Sequence, residues 1–220
     1  MYVRAMNIIT LTPNESPELI YLAKMDKRLA KLFTMVGPIA YQPHDDSYAF
    51  LVHEIIEQML SIKAGAKIYG RLEELCDGVV TVDAVNDLTD EQIKSIGTST
   101  PKVSYIRSLT NAIESGQLDF DLLPTLSDEY VMKKLTAIRG IGTWSAKMYL
   151  IFALNRPDIL PLEDVAFLQG YEWLYKTKDR SQEAVEKKCK KWKPYRSIAA
   201  RYLYQALDMG LTKKEFHLFK

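Results

Sequence analysis

LTAIRGIGTWSAKMYLIFALNRPDILPLEDVAFLQG, residues 135–170, is the stretch that decides the reading of this chain. Its first residues close a helical pattern, SDEYVMKKLTAI, that begins at Ser127. The pattern breaks at Gly140-Ile141-Gly142 and resumes at Thr143 or Trp144. Two glycines in a three-residue loop permit a left-handed or closely packed backbone that a side chain would block. The first amide N–H groups of the second helix have no partner within it, which makes an anion site. Asp164 then follows Trp144 by 20 residues, shortly after Pro161 and directly before another helical run. The alternative is an ordinary turn between two helices, since glycine commonly ends them.

Composition narrows the classes. A chain of 220 residues buries one sizeable core or two small lobes, and 47% hydrophobic content argues against disorder. No apolar run approaches the roughly 20 residues needed to span a bilayer. The opening MYVRAMNIITLTPNES has neither the apolar region nor the cleavage site of a signal peptide, so export is not expected. Cys76 and Cys189 are too few for a disulfide framework or a four-thiolate iron–sulfur cluster, and a reducing compartment fits them. His44, His53 and His217 show no metal-ligand spacing. A net charge of +1 argues against a broad nonspecific DNA-binding surface, so any footprint is local. One local cluster stands out: Lys187, Lys188, Lys190, Lys191, Lys193 and Arg196, interleaved with Trp192 and Tyr195. It reads equally as a phosphate-binding patch or a solvated helix face.

Along the chain, residues 1–15 read as an irregular or short extended lead. Ser16-Pro17-Glu18 opens a helix to about Met35, stopped by Gly37-Pro38. YQPHDDS (41–47) is a turn-rich connector. Helices follow at about Tyr48–Ile62, at Ala64–Cys76 with little or no break, and from Thr100 to Ser115 before Gly116. Ser127 caps the helix that enters the glycine loop. Beyond Asp164 the pattern gives helices at about 165–176, 182–192 and 194–209. No strand with period-two alternation is expected, although Val79–Val82 is β-branched. The expectation is an all-α protein of about ten helices.

A helix, a tight glycine loop and a second helix form a helix-hairpin-helix, which grips a DNA backbone without reading bases. Three further stretches accompany it: EIIEQMLSIKAGAKIYGRL, GTSTPKVSYIRSLTNAIESGQLDF and WKPYRSIAARYLYQAL. Taken together, over about residues 20–210, the chain resembles the helix-hairpin-helix plus Gly/Pro-Asp superfamily of base-excision DNA glycosylases. Within it, the resemblance is to the 3-methyladenine DNA glycosylase II group. It implies two helical lobes with a DNA-binding cleft. Residues 47–156 would form a lobe ending in the hairpin, and residues 1–46 would pack with a C-terminal lobe, 157–220, that carries the catalytic Asp. The 220 residues carry no counterpart of the separate N-terminal β-rich domain of some members. Met148 also stands where members can have a pocket tyrosine.

The resemblance assigns roles residue by residue. Asp164 matches the catalytic carboxylate, and Trp144, Met148 and Tyr204 match base-pocket positions. Gln58 matches the glutamine of the family's glutamine-containing helix end, and Met59 takes the place of a wedge that fills the gap when a base leaves the stack. Gly140, Gly142, Thr143 and Lys147 would contact DNA at the hairpin. Backbone carbonyls of Thr136, Ile138 and Ile141 map to a monovalent cation site for Na⁺ or K⁺, and no other cofactor is expected. Trp144 occupies the place of the Schiff-base lysine of bifunctional members, and an indole forms no imine. The function implied is monofunctional release of alkylated purines such as 3-methyladenine and 7-methylguanine by base flipping. A lyase using Lys147 and a catalytically silent DNA-binding module are the alternatives, and Glu163 has no assigned role. The implied partner is damaged double-stranded DNA, with no membrane, for a monomer in the cytoplasm at the nucleoid, or in the nucleus of a eukaryote.

Overall fold

The computed structural model describes residues 8–218. Among them the regular structure is helical apart from one two-stranded antiparallel sheet, so the chain is all-α as expected. The part of the lead that precedes Ile8 lies outside the described residues. The chain forms two compact units, one made of the segment up to Pro43 together with Asn155 onward, the other of His44–Leu154.

In the first unit, β1 (Ile9–Leu11) pairs with β2 (Ile39–Tyr41), Ile9 opposite Tyr41 and Leu11 opposite Ile39. No strand was expected here, because three residues are too few to display a period of two. The single helix expected from Pro17 is two, α1 (Pro17–Met25) and α2 (Lys27–Val36). Asp26 breaks it with extended dihedrals (φ −146°, ψ 106°) and caps α2 by accepting the Arg28 N–H at 3.0 Å.

The second unit holds α3 (Ser47–Glu57), α4 (Ile62–Leu75), α5 (Val82–Asn86), α6 (Asp90–Ser95), α7 (Thr100–Glu114), α8 (Asp128–Thr136) and α9 (Thr143–Met148). Short polar side chains start most of them: Asp46, Ser61, Thr81, Thr89 and Ser127 each accept an N–H of the first turn. α3 stops at Glu57, five residues before the expected end at Ile62, so a real break precedes α4. The short α5, which starts at the last residue of the β-branched Val79–Val82 stretch, and α6 were not expected. α9 widens at Tyr149–Ala153 into a π-helical turn, closed by the Leu154 N–H on the Tyr149 carbonyl (3.0 Å). α3 packs on α4 and α7, and Leu51, Ile55, Ile56, Ile106, Leu109, Leu135 and Leu150 are fully buried. Each such aliphatic side chain contributes about 1.5–3 kcal/mol through removal from water.

The first unit is completed by α10 (Val165–Tyr175), α11 (Gln182–Cys189) and α12 (Arg196–Asp208). α10 and α12 approach closely at Gly170, where a Cβ would lie 2.9 Å from Leu203 Cβ. Their inner faces join Leu22, Leu29 and Phe33 of α1 and α2, with Phe167, Tyr171, Trp192 and Tyr202, in one core.

Candidate active site and nucleic-acid interface

Within the second unit the hairpin is α8, the loop 137–142 and α9. Gly140 is required twice over: its φ is +96°, and an added Cβ would fall 2.2 Å from the ring of Tyr105 on α7. Gly142, by contrast, has an ordinary φ of −92°, and a Cβ there would meet no atom within 4 Å. The expectation that both glycines relieve backbone crowding therefore holds for one of them only. Gly142 is the N-cap of α9, followed by exposed Thr143, half-buried Trp144 and Lys147, and buried Met148. Thr136 ends α8, so its carbonyl is among those with no N–H to receive inside the helix. The Ile138 carbonyl accepts the Ile141 N–H at 3.1 Å and keeps a second lone pair. Loop carbonyls of this kind are oxygen donors suited to a hard cation.

The segment between α3 and α4 belongs to the same unit. Gln58 donates its side-chain amide to the Gly140 carbonyl (2.8 Å) and the Ser145 hydroxyl (3.2 Å), binding this segment to the hairpin. The Gln58 Nε2 hydrogens are thus engaged within the protein. Met59, next to it, is fully exposed with φ +61°, a left-handed conformation uncommon for a residue with a side chain. Lys102, which no sequence motif singled out, donates to the carbonyls of Ile56 (2.8 Å) and Gln58 (2.7 Å). Burial holds its ammonium below the usual lysine range. On α3 itself, ligand atoms of His53, Glu54 and Glu57 lie within 4.8 Å of one another, a grouping that histidine spacing alone does not reveal. Burial pushes His53 down and Glu57 up, each toward its neutral form.

In the first unit, Asp164 is the N-cap of α10, its Oδ1 accepting the Phe167 N–H at 2.6 Å. Its own N–H donates to the Pro161 carbonyl (3.1 Å), so a turn fixes its backbone before the helix begins. The side chain is half-buried while Glu163 beside it is exposed. Tyr204 is half-buried on α12. The basic cluster at 187–196 is divided: Lys187, Lys190 and Lys193 are exposed, while the other three cations make contacts within the unit. Lys191 pairs with Asp26 (3.0 Å), Arg196 with Asp158 (2.6 Å), and Lys188 lies over the Tyr175 ring at 5.1 Å.

Residues 52–194 match the family described as HhH-GPD superfamily base excision DNA repair protein. The chain belongs to that superfamily. It is 31% identical over 203 residues to DNA-3-methyladenine glycosylase 1 of Schizosaccharomyces pombe, covering 87% of each chain. Among solved HhH-GPD structures it resembles the DNA-3-methyladenine glycosidase of Bacillus halodurans, with a TM-score of 0.83 and 34% identity over 96% of this chain and 97% of that one. It also resembles the S. pombe 3-methyladenine DNA glycosylase in complex with abasic DNA, with a TM-score of 0.80 and 28% identity over 93% and 100% of the two chains. No helix among the described residues is long and apolar enough to cross a membrane.

Proposed function

We propose that this HhH-GPD protein is a monofunctional DNA glycosylase that hydrolyses the N-glycosidic bond of alkylated purines, 3-methyladenine and 7-methylguanine among them, in base excision repair. The observation that carries this reading is Asp164, a carboxylate fixed at a helix N-terminus by the Phe167 N–H. The family resemblance of the flanking motif gives this residue the role of catalytic carboxylate. As the base departs, positive charge builds on the sugar. An anion held at the anomeric carbon stabilises it without reorganising. An alkylated purine already carries positive charge and leaves neutral, so one carboxylate suffices. The family resemblance gives base-recognition roles to Trp144 and Met148 in the one unit and to Tyr204 in the other. Stacking of a cationic base on Trp144 contributes about 0.5–2 kcal/mol.

Damaged duplex DNA is the partner, bound by a monomer. Gly142, Thr143 and Lys147 meet its backbone, Gly140 shapes the loop, and Met59 enters the stack where the damaged nucleotide is flipped out. Gln58 serves this surface by fastening the Met59 segment to the hairpin. The carbonyls of Thr136, Ile138 and Ile141 would hold a sodium or potassium ion, whose positive charge favours phosphate at the hairpin. The protein works where cellular DNA lies, in the cytoplasm of a bacterium or the nucleus of a eukaryote.

Incubation with methylated duplex DNA, followed by identification of the free bases, tests this function. Released 3-methyladenine or 7-methylguanine is expected, and binding without release of any base would leave only a DNA-binding module. Borohydride treatment of the reaction should yield no protein–DNA crosslink, because Trp144 forms no imine. A crosslink lost on Lys147→Met would establish the lyase instead.

A further inference from the structure

The left-handed backbone at Met59 needs an explanation, since it costs a residue with a side chain about 1–2 kcal/mol and persists only where surrounding contacts enforce it. Three contacts bracket the residue. The Lys102 ammonium donates to the carbonyls of Ile56 and Gln58, at 2.8 and 2.7 Å, the second being the carbonyl of the peptide bond that leads into Met59. The Gln58 side chain reaches Gly140 and Ser145 of the hairpin. The Leu60 N–H returns to the Glu57 carbonyl at 2.9 Å, closing the turn around residues 58 and 59. A helix C-terminus leaves its last carbonyls unpaired and carries partial negative charge, so an ammonium there satisfies both demands.

Lys102 also sits one turn before Tyr105 on α7, and Tyr105 is the ring against which Gly140 closes. One helix therefore holds both the Met59 segment and the hairpin loop, and the Gln58 amide joins the two. We infer that Lys102 is a positioning residue that presents Met59 to the DNA stack at a fixed place relative to the hairpin. This rests on the reading of Met59 as the wedge. Lys102 touches no substrate in this scheme and acts through the backbone of Gln58.

The test uses the whole chain in three variants: Lys102→Met, which keeps the stem and removes the donors, Met59→Ala, and the two combined. A duplex with 2-aminopurine beside a stable abasic-site analogue reports entry into the stack as a change in fluorescence at saturating protein. Excision from a methylated duplex is followed in parallel, and melting curves confirm that each variant is folded. Lys102→Met should lose most of the fluorescence change and slow duplex excision roughly tenfold, the scale of a charge-assisted hydrogen bond. In the Met59→Ala background the same change should add little, because both act through one side chain. Effects that multiply, or a full fluorescence change in Lys102→Met, overturn the inference. If Lys102→Met does not fold, Lys102→Gln, which retains amide donors, should restore folding with an intermediate signal. A Gln variant with the full wild-type signal, or one that also fails to fold, makes Lys102 a purely structural cap. Met59→Ala indistinguishable from wild type would defeat the wedge reading itself, a different result from Met59→Ala losing the signal while Lys102→Met keeps it.

Discussion

Asp26 and Asp164 each cap a helix of the same unit, yet they sit in different surroundings. Asp26 accepts the Arg28 N–H at the start of α2, and Asp164 the Phe167 N–H at the start of α10. Asp26 is only 3% exposed, and its second oxygen receives the Tyr175 hydroxyl, the Trp192 indole (3.2 Å) and the Lys191 ammonium (3.0 Å). Burial would raise its carboxyl, but the hydrogen bonds from Tyr175, Lys191, Arg28 and Trp192 outweigh it and hold it below the ordinary value. Asp164 keeps part of its surface, and its turn from Pro161 is a short-range construction. Capping alone therefore does not separate the two; burial does, since Asp26 is enclosed and Asp164 only partly so. At Asp26 the second oxygen ties three elements of a core together.

The largest effect should come from Asp164→Asn, which keeps a capping side chain and removes the charge. Single-turnover excision of methylated bases should fall roughly 10²–10³-fold, the usual effect of removing a preorganised electrostatic stabiliser. Melting temperature and DNA affinity should change little. Wild-type excision rates in this variant would reduce Asp164 to a second cap like Asp26.

Asp26→Asn should do the opposite. It leaves Lys191 facing a neutral group in a buried network, at a cost of roughly 3 kcal/mol, the low end for such pairs because the lysine is partly exposed. For a chain of this size that lowers the melting temperature by about 6–12 °C. Excision per folded molecule should stay at the wild-type level, and a rate loss without a melting shift would invert the comparison.

The same contrast between packing and a contact surface recurs in the hairpin. Gly140→Ala places a Cβ into Tyr105 at positive φ and should destabilise the protein by roughly 2–3 kcal/mol. Gly142→Ala meets open space and should cost about 1 kcal/mol or less. Its effect should appear in DNA affinity instead. Chemical denaturation and binding titrations of both variants would separate the two roles, and equal destabilisation would erase the distinction.

The smallest effect is in acid. Asp26 is held below its ordinary 3.8, so its contribution to stability is complete above about that pH and is lost as pH falls through the lowered folded value. In that window the unfolded chain binds the proton first, so acidification favours unfolding. Unfolding free energy should drop more steeply for wild type than for Asp26→Asn below about pH 4. Identical acid limbs would remove Asp26 as the titrating group.

The sequence by itself determined the parts whose causes are local. A glycine loop between two helical patterns gives a hairpin, Ser127 caps its entry, and an aspartate before a helical run becomes the N-cap of α10; each depends on residues a few positions apart. Only the tertiary structure decided the parts whose partners are distant. It broke the first long helix at Asp26, whose carboxylate meets an indole 166 residues away. It paired two strands too short to announce themselves, and turned Lys191 and Arg196 inward to acids. It also ended α3 at Glu57, where Lys102, 46 residues downstream of Ile56, takes the carbonyls that a longer helix would have used. Periodicity and capping are written in neighbouring residues, whereas a buried charge or an open carbonyl takes whichever donor the packing brings to it.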